Sequence, residues 1–213
     1  MDEKKKMPFK SLDTIEHPEN GGISYALIGS TRSGKSTCML WLWERYFKKH
    51  ITLLTTQSSH ASIYGPLKSK CVIIPEFAPD IISETMKINV ATKNKYDFCH
   101  IFDDCVSGKN NKTLQKLLCI GRNAAQSVVY CGQEITLLNA VGRSNINFIL
   151  CFKLNSDISV EKMVKNWLRH SFPSHMKIHE MIQHYHELTK DHHCIVVNTL
   201  TGEIFQSKIS PIE

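Results

Sequence analysis

The chain has 213 residues, of which 42% are hydrophobic and 22% charged, with a formal net charge of +6. That is the composition of a soluble globular protein, long enough for one α/β domain with a sheet covered on both faces. No stretch approaches the roughly 20 apolar residues a membrane helix needs, and Met1-Asp2-Glu3-Lys4-Lys5-Lys6 lacks the apolar core of a secretion signal; the positive surplus suits a phosphate-bearing partner without requiring one.

Residues 1–21 are polar, read as loosely attached, and end in the turn Asn20-Gly21-Gly22. An apolar strand-like run from Ile23 to Ile28 follows, and then Gly29-Ser30-Thr31-Arg32-Ser33-Gly34-Lys35-Ser36-Thr37. This nine-residue string is a full match to G-x-x-x-x-G-K-[ST], and it leads into a helix-like run from Cys38 to Phe47. Gly29 and Gly34 let consecutive N–H groups turn inward on a phosphate, and the helix start adds its positive end to the same anion. Lys35 is placed to reach the β/γ-phosphates and the Ser36 hydroxyl to ligate Mg²⁺. The string therefore predicts binding of a nucleoside triphosphate.

Beyond the loop, strands are expected at 51–56, 71–75, 98–102, 127–131 and 148–154, and helices at 34–49, 79–94, 112–125 and 134–141. The alternation predicts an α/β fold with a central, mainly parallel sheet flanked by helices. After Asp157, the spacing of Val160, Met163, Val164, Trp167 and Leu168 is helical; Pro173 interrupts, and a second helix runs towards Lys190. Cys194-Ile195-Val196-Val197 and Ile204-Phe205 flank Thr201-Gly202 and read as a terminal β-hairpin. The expected division is a polar segment at 1–21, a nucleotide-binding core at 22–155 and a helical and hairpin appendage at 156–213.

Eight cysteines are present, and Cys71, Cys99, Cys131, Cys151 and Cys194 sit in apolar runs with no C-x-x-C pair. They read as buried free thiols in a reducing compartment. His175, His179 and His186 share one face of the last helix, where an exposed polar stripe is the reading favoured over metal ligation.

A triphosphate loop needs an acidic partner at the end of another strand. Tyr96-Asp97-Phe98-Cys99-His100-Ile101-Phe102-Asp103-Asp104 supplies an apolar run ending in two carboxylates. Asp103 is the natural magnesium ligand and Asp104 the residue to orient or deprotonate the attacking water, although two solvated acids at a strand end would read the same. Ser127 to Gly132 forms another buried strand tipped by Gln133, which could sense the γ-phosphate. Arg122, in Gly121-Arg122-Asn123, and Arg143, in Gly142-Arg143-Ser144-Asn145, are candidates for an arginine planted on a neighbouring subunit's γ-phosphate, or ordinary surface residues. Arg32 points outward or closes over the nucleotide. Asn94-Lys95-Tyr96-Asp97 is a literal N-K-x-D string, but it precedes a strand instead of following one, so the GTPase reading is rejected.

Phosphate loop, Asp103-Asp104, Gly121-Arg122-Asn123, Gln133 and the Arg143 segment, in this order, resemble the poxvirus-like genome-packaging ATPases of large DNA viruses and virophages. These belong to the FtsK–HerA superfamily. The resemblance covers about residues 22–155. It implies phosphate binding by Gly34, Lys35 and Ser36, magnesium at Asp103, water activation by Asp104, sensing by Gln133, and an arginine finger at Arg122 or Arg143. It also implies ATP and Mg²⁺ as ligands, double-stranded DNA as substrate and a homo-oligomeric ring. Capsid proteins would be a further class of partner, no membrane is involved, and the expected site of action is the host cytoplasm, a viral factory or the virion. Aspartate at 104, where many relatives carry glutamate, and arginine at 32 depart from the family pattern. Lys109 and Lys112, after the acidic pair, are nominated to face DNA, or form an exposed basic turn. A nucleoside or nucleotide kinase remains an alternative, although the stretch 135–190 offers only Arg143 and Arg169 for a lid. A non-hydrolysing nucleotide-binding scaffold is the other.

Overall fold

The computed structural model describes residues 7–17, 21–103, 105, 112–134 and 140–209. Eight strands form one sheet in the order β3-β2-β4-β5-β1-β6-β7-β8. They are β1 Ser24–Ile28, β2 Ile51–Thr56, β3 Cys71–Ile74, β4 Phe98–Asp103, β5 Gln126–Gly132, β6 Phe148–Cys151, β7 His193–Asn198 and β8 Ile204–Lys208. Pairing is parallel from β3 through β6, and antiparallel where β7 joins β6 and β8 joins β7. Every strand expected from the sequence is present, and the mainly parallel α/β architecture with a C-terminal hairpin is the one the alternation of elements implied.

Residues of β1 alternate across the sheet. Tyr25 and Leu27 face a layer containing Cys38, Met39, Leu42, Trp43 and Phe47. Ala26 and Ile28 face the opposite layer, with Met86, Leu114, Leu117, Leu118, Val160 and Met163. Because both faces are covered, the strands read as continuous apolar runs instead of alternating ones. Helix α1 (Lys35–Leu42) carries the first layer and widens into a π-helical turn over Trp43–Phe47. Helices α2 (Pro79–Ala91), α3 (Lys112–Ile120), α5 (Asp157–Met163) and α6 (Ile178–Leu188) build the second. Burying each large side chain contributes about 1.5–3 kcal/mol, so the two apolar layers hold the sheet between them.

Two local readings are revised, and a third lies largely outside the described residues. Helix α3 stops at Ile120, and Gly121–Ala124 tightens into a 3-10 turn. The helix expected at 134–141 falls mainly on residues outside those described; a short helix, α4, occupies Ala140–Ser144. Residues 7–17, read from their polarity as loosely attached, are fastened to the sheet. Gln206 N donates to Pro8 O at 2.8 Å and Lys10 N to Gln206 O at 2.9 Å, while Leu12 and Ile15 are buried. Leu12, in a 3-10 turn, and Ile15 just beyond it supply the apolar contacts, which overall polarity conceals.

All eight cysteines are free thiols, and all but Cys71 and Cys119 are buried, with burial pushing Cys194 up to about 12. His100 is 2% exposed and lies between Gln126 Oε1 at 2.7 Å and Thr85 Oγ1 at 3.3 Å. Burial holds it down to about 4, against the opposing pull of the Gln126 hydrogen bond.

Candidate nucleotide site

The phosphate loop leaves the carboxyl end of β1 and is braced by its neighbours before any ligand is considered. Gly29 N donates to Gly132 O at 3.1 Å and Ser30 N to Lys153 O at 2.8 Å, while Asn155 N donates to Ser30 Oγ at 2.9 Å. A Cβ on Gly29 would lie 2.6 Å from both Phe152 Cβ and Ser33 Oγ, so only glycine allows β1 and the residues after β6 to approach this closely. Gly34 caps α1 with φ +105°, a left-handed conformation that aims the helix start into the loop.

Lys35 is 7% exposed, and its ammonium donates to Gly29 O at 2.8 Å and Ser30 O at 2.9 Å. An ammonium has three donors, so one remains for an anion in the loop. Ser33 Oγ is buried with no hydrogen-bond partner among the described residues. A buried polar group in that condition costs about 1–3 kcal/mol, and an oxyanion in the loop is the chemistry that would offset it.

Asp103 ends β4 and is 1% exposed. Its Oδ2 accepts from Ser36 Oγ at 3.0 Å and from Tyr64 OH at 2.9 Å, and Tyr64 OH lies 3.3 Å from Thr56 Oγ1. Thr56 stands opposite Asp103 in the β2–β4 register. The Ser36–Asp103 pair expected from the motifs is thus assembled. It is an all-oxygen set of one hydroxyl and one carboxylate, which suits a hard divalent cation such as Mg²⁺. Tyr64 and Thr56 were missed: Tyr64 lies in the 3-10 segment Ser62–Leu67, which carries no motif, whereas Thr56 could have been suspected as the end of the strand beside β4.

Strand β5 lies between β1 and β4, with Gly132 opposite Ile28 and Cys131 opposite Asp103. Its tip therefore rises between the phosphate loop and the carboxylate, and Gln133 follows directly, exposed to solvent. Asp104 and Lys109 lie outside the described residues, and Lys112 is the exposed first residue of α3.

The two arginines are elsewhere. Arg122 precedes β5, and Gly22 N donates to its carbonyl at 3.1 Å. Arg143 precedes β6 on α4, at the end where Asn147 N donates to Ser24 O at 3.0 Å. Both stand at the amino ends of the parallel strands, one strand length, about 17 Å, from their own phosphate loop. The turn of Arg122 is clamped, since Asn89 Nδ2 donates to Ala124 O at 2.7 Å and Asn94 Nδ2 to Asn123 O at 2.9 Å, while the arginine side chain is exposed. Asn94 of the N-K-x-D string is spent on that clamp, far from the nucleotide loop. Of the three histidines on one face, His186 pairs with Asp157 at 2.9 Å, while His175 and His179 are exposed.

The antiparallel hairpin returns to the loop edge. With Cys151 opposite Ile195 and His193 opposite Lys208, the start of β7 and the end of β8 both flank the phosphate loop. Asp191, His192, Lys208 and Ile209 line one side of a cleft of about 550 Å³ whose other side is Arg32, the start of α1 and Ile63. No motif announced this contribution.

Fold and loop together define a P-loop NTPase fold with the acidic strand one position removed from the loop strand. No protein-family model and no curated protein matches the sequence. Among solved structures, the chain is similar to B204, the DNA-packaging ATPase from Sulfolobus turreted icosahedral virus, with 15% identity, a TM-score of 0.64, and coverage of 91% of this chain and 100% of that one. The genome packaging NTPase B204 from Sulfolobus turreted icosahedral virus 2, in complex with ATPγS, gives 15% identity, a TM-score of 0.59 and the same coverage. The pCW3 conjugation coupling protein TcpA with ATPγS gives 14% identity and a TM-score of 0.57 over 95% of this chain and 68% of that one. The resemblance to packaging ATPases read from the motif order is met at the level of the fold. Among the described residues, no helix is long and apolar enough to cross a membrane.

Proposed function

We propose that the chain is an ATP-hydrolysing, DNA-translocating motor that packages a viral double-stranded genome. The observation that carries this is the half-buried Ser36–Asp103 contact at the mouth of the phosphate loop, with the Gln133 strand set between the two. The likeness to packaging NTPases crystallised with nucleotide analogues supports it.

Lys35 and the loop N–H groups bind and orient the β- and γ-phosphates. Ser36 and Asp103 would hold Mg²⁺, which when bound neutralises charge on the phosphate oxygens. Asp103 is kept in place by Tyr64 and reaches the loop without rearrangement. Asp104 accepts the proton of the attacking water, and Gln133 reports the state of the γ-phosphate by hydrogen bonding. Arg122 or Arg143, each at the far rim of its own subunit, would serve a neighbour's site, in keeping with a homo-oligomeric ring in which the finger acts in trans. Arg122 is the better placed of the two, because its backbone is fixed and its side chain exposed. A kinase lid would need arginines over the phosphates, whereas Arg143 is at the wrong rim and Arg169 donates to Pro173 O and Ser174 O.

The deciding measurement is phosphate release with and without double-stranded DNA. The motor requires ATP turnover that rises several-fold with DNA and falls with salt. Transfer of the phosphoryl group to a nucleoside monophosphate, without release to water, would overturn it.

A further inference from the structure

We infer that the turn Asp191-His192, with Lys208 beside it, receives the nucleoside half of the triphosphate. The inference rests on the loop binding the phosphates, as proposed above. The cleft of about 550 Å³ opens directly from the first turn of α1, at Gly34 to Thr37. Its size falls within the range of small-ligand sites, roughly 300–1,000 Å³. A phosphate chain held by Lys35 has its nucleoside end beyond Ser36 and Thr37, which is where this cleft lies.

The walls suit a base and a sugar. His192 lies against the loop itself, since a Cβ placed on Gly34 would be 3.6 Å from its Nδ1. Its ring is exposed to the cleft and offers a flat π-face next to the phosphates. Ile63 on one side and the buried Ile209 on the other supply aliphatic surface for a planar base. Asp191 is the carboxylate of the lining and can accept from ribose hydroxyls, while Lys208 adds a cation against the α-phosphate.

The backbone points the same way. Lys190, Asp191, His192 and His193 close a tight turn through His193 N donating to Lys190 O at 2.9 Å. Both central residues are left-handed, with φ +52° at Asp191 and +62° at His192. Such a turn favours glycine or asparagine. Strained non-glycine positions persist where their side chains are needed, and here both side chains line the cleft.

The test compares ATP with inorganic tripolyphosphate, which engages the loop but has no nucleoside. With the full chain, His192→Ala is expected to weaken ATP binding roughly five- to a hundredfold, the range for loss of one base–aromatic stack. Tripolyphosphate affinity should stay unchanged, and His192→Phe should restore most of the ATP affinity. Equal weakening of both ligands would assign His192 to the loop's conformation and overturn the inference, as would unchanged ATP binding. Lys35→Ala separates the underlying reading: it should weaken both ligands, and a wild-type chain that binds neither would remove the loop reading and this inference together.

Discussion

Replacing Tyr64 with phenylalanine deletes one oxygen and leaves the ring in place. That oxygen lies 2.9 Å from Asp103 Oδ2 and 3.3 Å from Thr56 Oγ1, and all three residues are buried. A hydrogen bond to a charged group contributes about 1.5–3 kcal/mol, and burial shuts out the water that would replace it. The expected loss of stability is therefore about 2–3 kcal/mol, which for a chain of this size lowers Tm by roughly 4–12 °C. Urea unfolding of the wild type, Tyr64→Phe, Asp103→Asn and the double variant forms a thermodynamic cycle. If the contact is the cause, Tyr64→Phe costs much less once Asp103 is asparagine, and the coupling is at least about 1 kcal/mol. A loss below about 0.5 kcal/mol in the wild-type background, or additive single losses, would refute the role given to Tyr64.

Acid should destabilise the fold in a defined window. His100 is held near 4 by burial, against 6.5 for the free side chain, so the unfolded chain binds the extra proton first. Its contribution is complete above about pH 6.5 and is lost as pH falls towards about 4, on the order of 3 kcal/mol in all. His17, also lowered to about 4 by burial and by His50, acts in the same direction but is more exposed. Urea midpoints at pH 7.5 and 5 measure the slope, which His100→Gln should flatten; a slope unaltered by that change would acquit His100. Asp104→Asn should retain ATP binding and lose phosphate release, and unchanged turnover would show that Asp104 is not the base. Mixing inactive Arg122→Ala and Lys35→Ala subunits should restore activity if the arginine acts on a neighbour, with Arg143→Ala as the parallel trial. Absence of rescue in both would leave the finger unassigned.

The parts legible in the sequence were those whose chemistry is local or periodic. The loop string fixes its own backbone, and a strand buried on both faces announces itself as an apolar run, so Ser36 and Asp103 were found without knowing how they meet. Tyr64 was not legible, because its segment has no period and its partner is 39 residues away. The cleft wall from Asp191 to Ile209 was hidden for a related reason. Its position depends on β7 running antiparallel to β6, a register decided by tertiary packing. The placement of Arg122 was available from chain direction alone: a residue before a parallel strand sits at the edge opposite a loop that follows one.

The outer edge of β8 is occupied in part by the chain's own residues 8–10, whereas β3, at the other margin, is four residues long with Val72 56% exposed. An uncovered strand edge is a template on which another chain can build. Among the described residues, Pro8 and Lys10 close the β8 edge at Gln206, so losing their grip would lengthen the stretch of sheet margin open to pairing with another chain.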